Sequence, residues 1–218
     1  METEYIVNET FYSLKGEGLF TGTPMFFIRL SGCNLNCSFC DTMHQTGESR
    51  TVSSLVEEAC SYPSNIVVIT GGEPLMHNVL PLAYALVAAG RKLHLETNGS
   101  RIESMSDQYY AAVRSQFRWI ACSPKSPPEK LAASIIRRAD ELKFLVGGPG
   151  WEQYITSVRC LLAPFGKLLV MPLSEGKHEG IRGPEDLIPE NTKLATDYCL
   201  AHPEFSLCVQ MHKVLSIR

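Results

Sequence analysis

The chain has 218 residues, of which 44% are hydrophobic and 20% charged, and its formal net charge is −3. This length suits one domain with a sizeable core, and the apolar content excludes an intrinsically disordered polymer. The weak acidity excludes the basic field that grips a nucleic acid backbone, so a small-molecule substrate is expected rather than direct nucleic acid binding.

The chain opens with METEYIVNETFYS, which is acidic and lacks the basic-then-apolar layout of a secretory leader. The first clear strand is MFFIRL (25–30), and SGCNLNCSFCDTMH (31–44) follows it at once. TVSSLVEEACSY (51–62) reads as a helix with capping hydroxyls and carboxylates in its first turns. The strand NIVVIT (65–70) runs into Gly71, Gly72, Glu73 and Pro74, and HNVLPLAYALVAAG (77–90) is a helix stopped by Gly90. That segment holds the longest apolar run, well short of the ~20 residues that cross a bilayer, so no membrane association is expected. KLHLET (92–97) leads into Asn98 and Gly99, and WIACS (119–123) into Pro124 and Lys125. PPEKLAASIIRRADE (127–141) reads as helix, ELKFLV (141–146) as strand, GWEQYITSVRCLLAPFG (150–166) as helix and KLLVMP (167–172) as strand. GPEDLIPENTKLATDYCLAH (183–202) is helical but interrupted by Pro189. FSLCVQMH (205–212) reads as a strand leading into KVLSIR, apolar enough to be tied down rather than frayed.

Strand alternating with helix predicts an α/β fold: a parallel sheet of right-handed βαβ units. Six or seven strands are too few for an eight-fold barrel, which leaves a partial barrel or an open doubly wound sheet. Polar residues collect where strands end. In a parallel sheet those ends face one side, so GGEP, ETNG and SPK converge on one ligand.

With no leader, the chain is expected in the cytoplasm, where eight cysteines do not form a disulfide framework. Cys60, Cys122, Cys160, Cys199 and Cys208 stand alone and are expected as small core hydrophobes. Cys33, Cys37 and Cys40 are different, with three residues and then two between them and His44 four positions on. One reading is a closed structural zinc site on the three thiolates and His44. The other is a [4Fe–4S] cube held at three corners, with one iron left for an exogenous ligand.

C-x3-C-x2-C with Phe39 before its last cysteine resembles the signature of the radical S-adenosylmethionine superfamily, and GGEP, ETNG and SPK match that superfamily too. FYSLKGEG (11–18), the DT after the cluster loop and the closing VQMHKVLSIR are similar, within it, to the 7-carboxy-7-deazaguanine synthases, and the match covers essentially the whole chain. The resemblance implies a partial parallel β/α barrel of about six strands, with residues 1–218 as a single radical SAM domain whose C-terminal tail closes the active site. It implies a 4Fe–4S cluster on Cys33, Cys37 and Cys40, S-adenosylmethionine and Mg²⁺ as cofactors. The open iron would be chelated by the methionyl group, and one electron would release a 5′-deoxyadenosyl radical. The reaction implied is ring contraction of 6-carboxy-5,6,7,8-tetrahydropterin to 7-carboxy-7-deazaguanine with loss of ammonia, a lyase step on the route to queuosine, a modified tRNA base.

Carried onto this sequence, the resemblance gives Arg29 to the substrate carboxylate, Thr42 to magnesium and Glu17 to the amino-pyrimidine edge. Leu14, Lys15, Gly16 and Thr70 would contact the substrate, and His212 and the Arg218 carboxylate would close the pocket. S-adenosylmethionine would meet Phe39, Asp41, Gly72, Glu73, Thr97, Ser123, Pro124, Lys125 and the turn Met171, Pro172, Leu173 and Ser174. Two positions depart from the family pattern: Lys15 and Met171 stand where glutamine is usual. An ammonium only donates, whereas an amide donates and accepts. A flavodoxin or ferredoxin as electron donor and a homodimer are implied as partners. The rival readings are a glycyl-radical activating enzyme, which shares the cysteine spacing, and a zinc-stabilised binding module.

Overall fold

The computed structural model describes residues 2–40, 42–159, 166–174 and 183–217. Their centre is a nine-stranded sheet. In chain order its strands are β1 (Glu4–Leu14), β2 (Pro24–Leu30), β3 (Glu48–Thr51), β4 (Ile66–Gly71), β5 (Lys92–Thr97), β6 (Phe117–Cys122), β7 (Glu141–Val146), β8 (Lys167–Pro172) and β9 (Phe205–Leu207). The order across the sheet is β3-β1-β2-β4-β5-β6-β7-β8-β9. From β2 to β9 all neighbours are parallel, while β1 pairs antiparallel with both β2 and β3. The parallel run therefore has seven members, within the six or seven expected, and among the described residues β3 and β9 are the edges of the sheet, consistent with a partial barrel.

Helices α1 (Val52–Ser61), α2 (Leu80–Ala88), α3 (Asp107–Gln116), α4 (Ala133–Ile136), α5 (Trp151–Arg159), α6 (Pro189–Ala201) and α7 (Met211–Val214) fill the connections. Thr51 caps α1 by accepting from the Ser54 N–H at 3.2 Å. Gly90, at φ 78°, ends α2: its N–H reaches the Val87 carbonyl, and the Arg91 N–H returns to Leu86, each at 2.9 Å. Pro189 begins α6 rather than interrupting it, because a proline at the first helical turn forgoes only an N–H that has no helical partner there. The stretch 127–141 yields only one short turn and the four residues of α4. The strand expected over 205–212 stops at Leu207, and Met211–Val214 turn into α7.

Side chains alternate along most of the parallel strands, with a register shift where β6 pairs with β5, and the two faces do different work. Leu93 and Leu95 of β5, Leu142, Phe144 and Val146 of β7 and Val170 of β8 belong to one large core beneath the helices. The opposite positions look into the concave side. Some are apolar and form two small clusters, Met25, Phe27 and Val68 at one end and Leu169, Met171 and Cys208 at the other. Others are polar or titratable: Arg29, Thr70, Glu96 and Lys143.

The loop from β1 to β2 seals the floor of this concavity. The Lys15 N–H donates to the Thr23 carbonyl and the Gly22 N–H to the Lys15 carbonyl, both at 2.8 Å. Between them Phe20 tucks inward, 4.7 Å from His94 and 5.0 Å from Trp119 between ring centroids, edge to face in both contacts. Of the isolated cysteines, Cys122 and Cys208 are buried and Cys199 half-buried, as expected, whereas Cys60 lies exposed on α1 and Cys160 falls outside the described residues. No helix among the described residues is long and apolar enough to cross a membrane.

Candidate active site

The concave side holds a cavity of about 640 Å³ at the C-terminal ends of the parallel strands. Cys33, Cys37 and Cys40 line it, all as free thiols, together with Phe39 and Thr42 from the same loop. That loop is anchored on its neighbours. The Ser31 N–H donates to the Ile6 carbonyl of β1 at 2.9 Å, the Ser31 hydroxyl to the Thr46 carbonyl at 2.6 Å, and the Glu73 N–H to the Gly32 carbonyl at 2.9 Å. Asn98 after β5 donates its amide to the Asn34 side chain at 3.0 Å, beside the Cys33 sulfur.

The donor set fits an iron–sulfur cluster. Burial pushes the Cys33 and Cys37 thiols up, partly offset by the nearby Lys125 charge. Thiolates on this loop therefore need a cationic partner, which the irons of a cluster would provide. The Leu35 N–H lies 3.4 Å from the Cys33 sulfur, so the loop backbone already turns a donor towards the thiol. Among the described residues no three His, Cys, Asp or Glu side chains converge on a single-ion site.

Most of the expected cofactor contacts are brought together here: Gly72, Thr97, Ser123, Lys125, Met171, Pro172, Leu173 and Ser174 all line the cavity. Glu73 and Pro124 lie behind its wall, both buried. The Glu73 carboxylate accepts from the Leu75 N–H at 3.0 Å, the Thr97 hydroxyl at 2.8 Å and the Asn98 N–H at 2.6 Å, so it fastens GGEP to ETNG. Burial pushes its pKa up even so, those hydrogen bonds opposing the shift. Asp41 and Arg218 lie outside the described residues.

The expected substrate residues also share this cavity: Leu14, Lys15, Gly16, Glu17, Arg29, Thr70 and His212. Arg29 donates through Nε to Glu9 at 2.9 Å, points Nη1 at the Thr42 hydroxyl at 3.4 Å and stacks its guanidinium 5.6 Å above the Phe11 ring. Gly16 sits so tightly on α7 that an added Cβ would come within 2.2 Å of the His212 ring. The Met211 N–H donates to the Gly16 carbonyl at 2.8 Å, so the segment after β9 is held against the β1–β2 loop, and Ile217 reaches the cavity wall.

Three further side chains line the cavity: Lys143 and Gln210, which sequence reasoning missed as site residues, and Glu96, which it placed at the site only as the first residue of ETNG. Lys15 is paired with Glu96, whose other oxygen accepts from the Thr70 hydroxyl at 3.0 Å. Lys143 pairs with Glu17 at 2.7 Å, and the Gln210 amide donates to the other Glu17 oxygen at 2.9 Å. The Ser174 hydroxyl donates to Gln210 Oε1 at 2.7 Å, which ties the Met171–Ser174 turn to the same network. Burial opposes the charges of Glu96 and Glu17, but their lysines outweigh it: Lys15 and Lys143 hold Glu96 down to about 2, and Lys143, Lys15 and His212 hold Glu17 well below the carboxylate range. His94, beneath them, is pushed down to about 4 by burial and by Lys15. The floor thus presents two ionised acceptors held by two ammonium groups. A signal existed: an ionisable residue at an inward position of an otherwise apolar strand, as in KLHLET and ELKFLV.

Comparison with known proteins agrees with this arrangement. The radical SAM superfamily model matches residues 27–163. A 7-carboxy-7-deazaguanine synthase from Bacteroides thetaiotaomicron is 37% identical over 212 residues, covering 97% of this chain and 98% of the relative. One from Synechocystis is 34% identical over 223 residues, covering 100% and 96%. The crystal structure of QueE from Escherichia coli superimposes with a TM-score of 0.74 at 26% identity, covering 96% of this chain and 95% of that one.

Proposed function

We infer the function from a family relationship: the chain belongs to the radical SAM superfamily and, within it, to the 7-carboxy-7-deazaguanine synthases. It is accordingly an enzyme, and the superfamily brings with it a 4Fe–4S cluster and S-adenosylmethionine. The proposed reaction is ring contraction of 6-carboxy-5,6,7,8-tetrahydropterin to 7-carboxy-7-deazaguanine with release of ammonia. One observation carries this reading: three thiols on one wall and an ionised acceptor floor face each other across a single cavity.

When bound, the cluster and S-adenosylmethionine would supply a 5′-deoxyadenosyl radical as the hydrogen-abstracting group. The chain's own task is to hold the substrate still and keep water away. Cys33, Cys37 and Cys40 would hold the cluster. Gly72, Thr97, Ser123, Lys125 and the Met171–Ser174 turn line the space where the cofactor would lie. Arg29, with five donors in a rigid fork, would pair with the substrate carboxylate. Thr42, beside it, would give an oxygen to magnesium, a hard cation that takes few protein ligands. Glu17 would accept from the amino-pyrimidine edge. An ionised carboxylate offers about four lone-pair sites, so it can do so without releasing Lys143 and Gln210. Thr70 would touch the ring from the side. Asp41 for the cofactor and the Arg218 carboxylate for the base, both outside the described residues, would complete the set.

Lys15 does not place a new charge against the substrate, because its ammonium is neutralised by Glu96. The departure from the family's glutamine thus leaves the floor near neutrality and is consistent with an unchanged substrate. The segment Met211–Ile217 would close the cavity, with the chain acting as one domain. A flavodoxin-like or ferredoxin-like electron donor, a homodimeric assembly and a cytoplasmic setting belong to the same proposal, as does a place on the route to queuosine.

The test is anaerobic incubation of the reconstituted protein with the carboxytetrahydropterin, dithionite, S-adenosylmethionine and Mg²⁺. Mass spectrometry should find 7-carboxy-7-deazaguanine. A protein that carries its cluster, cleaves S-adenosylmethionine and yields no deazapurine would overturn the substrate assignment.

A further inference from the structure

We propose that Lys143 is a positioning residue for this reaction: from inside the barrel it fixes Glu17 as an ionised acceptor aimed at the donor edge of the substrate. The inference rests on the functional reading above and adds a residue to it.

Lys143 occupies an inward position of β7, between Leu142 and Phe144, which point to the helix-side core. Its side chain is 3% exposed and its Nζ lies 2.7 Å from Glu17 Oε2. Nothing in an apolar strand calls for an ammonium there, since isoleucine or methionine would fill the space without desolvating a charge. Glu17, in contrast, stands on a loop and not on a strand, so its own backbone does little to aim it. Two donors fix its direction, Lys143 on one oxygen and Gln210 on the other. Only one of the two carries charge.

The surroundings make that charge consequential. Lys143 faces Glu17 from the β1–β2 loop, Glu96 from β5, Glu141 from its own strand and the buried Cys208 after β9. Glu141 is engaged elsewhere, accepting from the Leu19 N–H at 2.9 Å. Lys15 and His212 also face Glu17, but Lys15 is bonded to Glu96. Lys143 is therefore a cation in direct contact with Glu17, and burial alone would drive that carboxyl towards its neutral form. A neutral carboxyl has a proton on one oxygen and cannot meet two neighbouring donors as a carboxylate does.

The test is fluorescence titration of the holoprotein with 6-carboxypterin, a stable oxidised form of the substrate, between pH 5.5 and 7.5. Lys143→Met should weaken binding roughly 10- to 100-fold, the size of one lost charge-assisted hydrogen bond. The gap from wild type should widen as the pH falls, because Glu17 then takes up a proton. Lys143→Arg, which keeps a charged donor, should recover most of the affinity. Glu17→Gln should bind weakly with no widening of the gap. If Lys143→Met does not fold, Lys143→Gln removes the charge alone and carries the same expectation. A wild type that binds the pterin while the uncharged variants bind equally well at every pH sinks the proposal alone. A wild type that holds its cluster but never binds the pterin sinks the substrate reading as well.

Discussion

The contact between the GGEP loop and the cysteine loop yields a prediction with a geometric magnitude. Gly72 has no side chain, and a Cβ added there would fall 2.2 Å from the Gly32 carbonyl oxygen and 2.7 Å from Cys33 Cβ. Ordinary carbon–oxygen contacts lie at about 3.3–3.6 Å, so Gly72→Ala must part the loops by roughly 1 Å. The obstruction is backbone, not the tip of a flexible side chain, and it cannot rotate away. Overpacking of this kind costs about 1–3 kcal/mol, which should appear as a lower urea midpoint. The effect on catalysis should be larger, because Cys33 moves with Gly32 and a shift of about 1 Å in a reacting assembly can cost on the order of 100-fold in turnover. The assay is anaerobic reconstitution followed by iron content, visible absorbance and turnover. Gly90→Ala is the control: an added Cβ there meets nothing within 4 Å. It should lower stability through its left-handed backbone while leaving turnover intact. Gly72→Ala with wild-type turnover would refute the idea that this contact sets the position of the first thiolate.

Lys15→Met should cost about 2 kcal/mol in urea unfolding, because it leaves the half-buried Glu96 charge without its ammonium; Lys15→Gln, which keeps a donor, should cost nearer 1 kcal/mol, and the reverse ranking would contradict the pairing. His94 stays neutral in the fold down to about pH 4, whereas in the unfolded chain it takes a proton near pH 6.5. The unfolded state therefore binds more protons between those values, and stability is lost as the pH falls through that window, by up to about 1.4 kcal/mol per pH unit. His94→Gln should flatten the difference between urea midpoints at pH 5 and pH 7, and an unchanged difference would acquit His94. Thr42→Ala should weaken the dependence of turnover on added Mg²⁺, and a response identical to wild type would remove that ligand.

How far the sequence could be read follows from how each element is stabilised. The parallel strands stood out because most have both faces covered, which leaves short, largely apolar runs; the edge strand β9, with Ser206 and Leu207 exposed, is the exception. β3 did not: Glu-Ser-Arg-Thr is extended only because β1 lies beside it, a pairing no local pattern announces. α3 carried legible marks, Ser106 capping the Tyr109 N–H with Tyr110 and Val113 buried three residues apart, yet its polar composition hid them. At the site, cysteine spacing and strand-end loops gave most of the cavity wall. Lys143 and Gln210 escaped, and Glu96 was legible only as part of ETNG, because their pairing lies with partners 126, 193 and 81 residues away. Glu73 was legible as a cavity residue but sits one layer back, since three donors already converge on its oxygens.

The in-and-out alternation along strands such as β7 also constrains how this chain can change over evolutionary time. Losing one residue within β7 would turn Lys143 out against the helices and swing Leu142 or Phe144 into the reaction chamber, spoiling stability and chemistry in a single event. Substitutions at every second position can retune selectivity while the scaffold stays whole. Insertions and deletions have no such freedom inside β5 or β7, and should be confined to the connections between strands.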